Sequence, residues 1–91
     1  MTIRWTPESV EDLARLHDFL AQSNPRAALR AVTALRNAVR QLLAHPRLGS
    51  LLRGFEPREV RRLLVGDYEM RYEVAGDAIH ILRFFHTRED R

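Results

Sequence analysis

At 91 residues, with 45% hydrophobic and 30% charged side chains, the chain has the size and composition of one globular domain spanning 1–91, not of a disordered segment. A domain of this length buries about 60–65% of its unfolded surface. The absence of Cys excludes a disulfide framework and thiol chemistry, and no apolar run reaches the length of a membrane span or a signal-peptide core, so a cytoplasmic protein with no membrane association is expected. The net charge of +3 is unevenly spread: residues 1–24 carry two Arg against four acids, residues 25–62 nine Arg against two acids, and residues 63–91 four Arg against six acids. The basic middle implies an acidic partner, protein or nucleic acid. Every basic side chain other than His is Arg, whose fork suits bidentate binding of carboxylate or phosphate, although GC-rich codon usage produces the same bias.

In chain order, Ile3 and Trp5 alternate with Thr2 and Arg4 and predict a short opening strand. Thr6-Pro7 supplies an N-cap and a proline at the first helical position. The helix is expected to run to about Gln22, burying Val10, Leu13, Leu16, His17 and Leu20 and turning Glu11, Asp12, Arg15 and Asp18 to water. His17 reads as a packing group, because no second His, Cys or carboxylate shares its face at metal spacing; no metal and no cofactor is expected. Asn24-Pro25 repeats the cap-and-proline device. The second helix places Ala28, Ala31, Val32, Leu35, Ala38, Val39 and Leu42 on one stripe through about Ala44, before His45-Pro46 stops it. The short connection makes the two helices an antiparallel hairpin. Arg26, Arg30, Arg36 and Arg40 line its outer surface, either as a solvated face or as a docking surface for an acidic partner.

Residues 47 to 57 read as a loop, with Leu51, Leu52 and Phe55 tucked under it as a short irregular edge strand. The segment from Val60 to Val74 then alternates apolar and polar residues on both sides of Gly66-Asp67, which fits a two-residue II′ hairpin. That register sets Val65 opposite Tyr68, Leu63 opposite Met70 and Arg61 opposite Tyr72 on the core face. The other face carries Leu64 beside Glu69, Arg62 beside Arg71, and Val60 beside Glu73. Two Arg directly across from each other repel, so either Glu69 and Glu73 quench them or an anionic partner does. A second tight turn at Ala75-Gly76-Asp77-Ala78 leads to Ile79 through His86, apolar on both sides and hence central, with the first strand beside it. Whether Leu82 and Phe84 or Ile81 and Phe85 face the helices is not fixed by the pattern. The expected architecture is α+β: an antiparallel helix hairpin packed in two layers on a mainly antiparallel sheet, β-α-α-β-β-β with a possible extra edge strand.

No Gly-rich phosphate loop, nucleophile elbow or paired acid cluster is present. Arg62, Arg71, Glu69 and Glu73, with the tail residues His86, Arg88 and Arg91, are the polar groups available to converge on the open sheet face. Arg and His together can cleave RNA without metal, Arg holding the phosphate and His protonating the leaving oxygen.

The order of Ile3-Arg4-Trp5-Thr6-Pro7-Glu8, Val65 through Val74, and Ile81-Leu82-Arg83-Phe84-Phe85-His86-Thr87-Arg88 resembles the ParE/RelE superfamily of toxins over essentially the whole chain. The resemblance implies the toxin half of a bacterial toxin–antitoxin pair with a helix hairpin on an antiparallel sheet. RelE-like members cut mRNA in the ribosome, and ParE-like members poison DNA gyrase. RelE-like nucleases look like they need an Arg just after the Tyr that opens the middle strand; here that position is Glu69. Arg62 matches a basic position of the nuclease face, Val60 stands where another is expected, and nothing after Phe85 is aromatic. The resemblance therefore implies a gyrase-binding toxin with no catalytic residue of its own, contacting its target through Arg62, Arg71, His86, Arg88 and Arg91. It also implies a hetero-oligomer with a ParD-like antitoxin, whose acidic segment would meet Arg26, Arg30, Arg36 and Arg40 and lay a helix in an apolar groove beside the helix hairpin. The alternatives are a ribosome-dependent mRNA endonuclease using Arg62, Arg71, His86 and Arg88, and an inactive binding module with the same fold.

Overall fold

The computed structural model describes residues 1–89. In order these form β1 (Thr2–Trp5), α1 (Pro7–Ala21), α2 (Pro25–Gln41), β2 (Ser50–Leu51), β3 (Glu59–Val65), β4 (Tyr68–Ala75) and β5 (Ala78–His86). The strands make one five-stranded sheet, β1-β5-β4-β3-β2, antiparallel except where β1 runs parallel to β5. The last strand is therefore internal, as its two apolar sides require.

Local chemistry explains the element boundaries. Thr6 caps α1 by accepting from the Ser9 N–H at 3.1 Å, and Pro7 follows at the first helical position. The same Thr6 hydroxyl donates to the Ile81 carbonyl at 2.7 Å, tying the start of α1 to β5. Asn24 caps α2 by accepting from the Ala27 N–H at 3.0 Å. The helix ends at Gln41, earlier than the hydrophobic stripe suggests, because residues 42–44 bond back three residues (Leu42 to Val39, Leu43 to Arg40, Ala44 to Gln41) and tighten the last turn. Leu42 stays fully buried in that turn.

The hairpin has the predicted register residue for residue, Val65 to Tyr68 through Val60 to Glu73. Gly66 takes φ 59° and no non-Gly described residue has positive φ, so Asp67 is negative there, the signature of a II′ turn.

The core lies between the helix pair and one sheet face: Leu13 and Leu16 from α1, Leu35, Ala38, Val39 and Leu42 from α2, and Met70, Tyr72, Val74, Ile79, Ile81 and Phe84 from the sheet. Each fully buried large apolar side chain contributes about 1.5–3 kcal/mol. Ile81 and Phe84 both face the helices although they lie three apart. The pairing jumps from Tyr72–Ile81 to Arg71–Arg83, so Leu82 is an extra residue and the strand changes parity there.

Several expectations about burial fail. Asp12 is buried, not solvated, because α1 crosses β5 where the backbone N–H of Phe84 needs an acceptor. Val10 is exposed although it sits on the predicted stripe, since β1 ends at Trp5 and leaves nothing to cover it. Leu51 and Phe55 are exposed, not tucked in, because β2 is only two residues long and lies at the sheet edge.

Candidate functional site

Three polar regions stand out, one on the open sheet face and two on the helix side. On the side away from the helices, Arg62, Arg71 and Arg83 form one cross-strand row through β3, β4 and β5. The next row is Leu64, Glu69 and Phe85. Glu69 is fully buried, and its Oε2 accepts from Arg71 Nε at 2.7 Å while Oε1 lies 3.6 Å from an Arg62 Nη2. Mutual repulsion of Arg62 and Arg71 is thus relieved from within by Glu69. The Arg71 and Arg83 guanidiniums stand 5.2 and 4.9 Å from the centroid of the Phe85 ring, at cation–π distance. Arg83 reaches over the sheet edge to Asp12, donating from Nε at 2.7 Å and Nη2 at 3.2 Å, and this carboxylate hydrogen bond raises its pKa further above the usual guanidinium value.

Glu73, expected to help quench the row, instead takes a bidentate Arg58 at 2.8 and 3.2 Å. That hydrogen bond, outweighing partial burial, holds the Glu73 carboxyl below the ordinary glutamate value of 4.5. A depressed folded-state pKa stabilises the fold above the unfolded value and loses that contribution as pH falls through the folded value. Denaturant unfolding of Glu73→Gln is therefore expected to show less stability than wild type at about pH 7 and a gap that narrows as the pH falls below the ordinary glutamate value and through the lowered folded-state one. A gap independent of pH would mean that packing, not charge, is what the substitution removes.

The second region lies on the helix side. His86 pairs with Tyr68 across β5 and β4, their rings meeting edge to face at 5.4 Å and 88°. Leu16, Phe19 and Leu20 of α1 complete a cleft of about 640 Å³ with Tyr68, His86, Arg88, Arg15 and Glu89. Glu89 Oε1 accepts from the His86 N–H at 3.0 Å and from Arg15 Nη1 at 3.1 Å, fastening the tail to α1. Burial works against ionisation of Glu89, but these two bonds outweigh it and lower its pKa. The Arg88 N–H donates to His86 Nδ1 at 3.1 Å, so in this arrangement the ring proton sits on Nε2.

The third region is a groove of about 670 Å³ between β1, α1 and α2, floored by Ile3, Val10, Leu13, Val32 and Val39 and rimmed by Trp5, Asp18, Arg36 and Arg40. Arg40 bonds to Asn37, and the partly exposed His17 bonds to Asp18 at 3.2 Å. Arg26 and Arg30 are exposed on α2 but do not line the groove.

The candidate target residues are thus divided. Arg62 and Arg71 share the open face, His86 and Arg88 sit across the sheet from them, and Arg91 lies outside the described residues. The extra residue Leu82 causes this, because without it His86 would project on the same side as Arg71. Among the described residues no three His, Cys, Asp or Glu come together at metal-binding spacing. Among the described residues no helix is long and apolar enough to cross a membrane. Arg83, Phe85, Asp12 and Phe19 are not among the site residues that the sequence pattern points to. Arg83 joins the row only once the β4–β5 register is known, whereas Phe19 was legible as a large apolar residue off the predicted stripe.

Known proteins match this arrangement over nearly its whole length. A family model described as the ParE toxin of the type II toxin–antitoxin system parDE matches residues 3–91. Toxin RelE2 of Caulobacter vibrioides is 34% identical over 83 residues, covering 91% of each chain. A solved chain from the chromosomal ParDE toxin–antitoxin system of P. aeruginosa has the same fold, with a TM-score of 0.79 at 27% identity over 94% of this chain and 95% of that one. The chain belongs to the ParE toxin family of type II toxin–antitoxin systems.

Proposed function

We propose that this toxin acts in the cytoplasm by binding DNA gyrase and blocking replication, without chemistry of its own, and that a ParD-like antitoxin silences it. The observation that carries this reading is the separation of His86 from the arginine row, together with the buried Glu69 carboxylate bonded to Arg71. Metal-free cleavage of RNA needs the proton donor within about 3 Å of the leaving oxygen of a phosphate that Arg holds. Here the sheet lies between those groups, and an acid occupies the space where a phosphate would meet Arg71. His86, Arg88 and Arg91 serve as target contacts, while Arg62 and Arg71 hold the sheet face together through Glu69.

The antitoxin is assigned to the groove beside the helix hairpin. Its apolar floor suits the buried side of an amphipathic helix, and Arg36 and Arg40 at the rim, with Arg26 and Arg30 further along α2, suit an acidic one. Charge reversal at Arg30 and Arg40 is expected to slow association at low salt. Purified gyrase is expected to lose supercoiling activity in the presence of excess toxin. Full supercoiling at saturating toxin, together with codon-positioned cuts on translated mRNA by primer extension, would replace this reading with the nuclease one.

A further inference from the structure

We infer that the cleft between α1 and the end of β5 is the anchor point for a protein target, and that it takes an apolar side chain flanked by a carboxylate. This rests on the reading that the toxin acts by binding a protein, and it adds where and by what chemistry. Leu16 and Tyr68 form a floor that is already buried or half-buried, while Phe19 stands at the edge 70% exposed. Phe19 with Leu16, Leu20 and Tyr68 lines one cleft of about 640 Å³, and a contiguous apolar lining rimmed by charged groups is the mark of an interaction site. Aromatic residues with Arg at the lip are also the composition of energetic centres in protein interfaces.

Charge decides the occupant. Arg15 at the lip is neutralised by Glu89, whereas Arg88 has no carboxylate partner among the described residues. His86 spends Nδ1 as acceptor for the Arg88 N–H, so Nε2 carries the ring's proton and is a donor. The Arg88 guanidinium, without a carboxylate partner among the described residues, and the His86 imidazole N–H line the same cleft and select an acidic flank. The Arg15–Glu89 pair has a second role here. It pins the tail turn to α1, so that Arg88 and His86 are presented without ordering the tail at the moment of binding.

The test is binding of DNA gyrase holoenzyme to the immobilised full-length chain, comparing wild type with Phe19→Asp, Arg88→Glu and the groove variant Arg36→Glu, each first shown to melt as a folded domain. Phe19 and Arg88 are exposed, so neither substitution disturbs the core. The expected result is that Phe19→Asp and Arg88→Glu each weaken binding at least about tenfold while Arg36→Glu changes it by less than about twofold. Raising the salt is expected to shrink the Arg88→Glu effect and to leave that of Phe19→Asp. Wild-type binding with both cleft variants unchanged overturns the cleft and leaves the gyrase reading standing. Absence of wild-type binding removes the gyrase reading instead, and growth arrest on expression then decides the cleft: arrest that persists in Phe19→Asp and Arg88→Glu overturns it, and arrest lost in both of these variants but kept in Arg36→Glu sustains it.

Discussion

Gly49→Ala is expected to lower stability by about 2–4 kcal/mol, which for a domain of this size is a fall in Tm of roughly 10–25 °C. A Cβ at this position would lie 2.5 Å from the Arg62 carbonyl oxygen, 2.9 Å from the Arg62 carbonyl carbon and 3.0 Å from Tyr72 Cε1. The backbone cannot swing away cheaply, because Gly49 is held from both sides. Its N–H donates to the Tyr72 hydroxyl at 2.8 Å, and its carbonyl accepts from Arg61 Nη1 at 2.8 Å. Gly49 has ordinary φ, so the need for glycine there is close approach and not a left-handed backbone. Gly66 is the opposite case: nothing lies within 4 Å of its Cβ position, but φ is 59°. Gly66→Ala should therefore cost only the left-handed penalty of about 1–2 kcal/mol. Thermal melts of the two variants separate these causes. Equal losses would contradict the clamp at Gly49.

Asp12→Ala is expected to cost about 3 kcal/mol, or on the order of 12–24 °C in Tm. Asp12 joins α1 to β5 through three charge-assisted hydrogen bonds, two from Arg83 and one of 3.0 Å from the Phe84 N–H, and Arg15 Nη2 stands 3.6 Å away. Truncation leaves the Phe84 N–H buried without its acceptor, which alone costs about 1–3 kcal/mol. Arg83→Ala, by contrast, leaves that acceptor in place and is expected to cost roughly half as much. A larger effect for Arg83→Ala than for Asp12→Ala would mean that the cation–π contact with Phe85, not the carboxylate, secures this corner.

The two variants also mark what a linear reading can and cannot see. Alternation around Gly66-Asp67 determines the hairpin register, because a one-residue slip would turn Met70 and Tyr72 to solvent. Thr6-Pro7 and Asn24-Pro25 determine the helix starts by local chemistry. Asp12, however, looks solvated on an amphipathic wheel, and its partners lie 71 and 72 residues further on. No periodicity announces the extra residue at Leu82 either, since Ile81-Leu82-Arg83-Phe84-Phe85 offers apolar groups to both faces in either parity. That single residue moves Arg83 and Phe85 to the open face and His86 to the helix face. The fold was therefore legible from the sequence, and the composition of the candidate site was not. Gly49 stayed hidden for the same reason as Asp12: the crowding comes from strands that are distant in sequence.

The separation of His86 from the arginine row gives the protein two unlike surfaces on opposite sides of one sheet, and a groove on each flank of α1. On the proposed reading the cleft beside β5 takes the target and the groove beside β1 takes the antitoxin. The most direct measurement is to express the toxin alone from a tightly repressed promoter and to follow DNA and protein synthesis separately by pulse labelling. A gyrase-binding toxin stops DNA synthesis first, with filamentation and a DNA-damage response. Collapse of protein synthesis ahead of DNA synthesis would contradict the account, and would return Arg71 and His86 to the position of catalytic candidates.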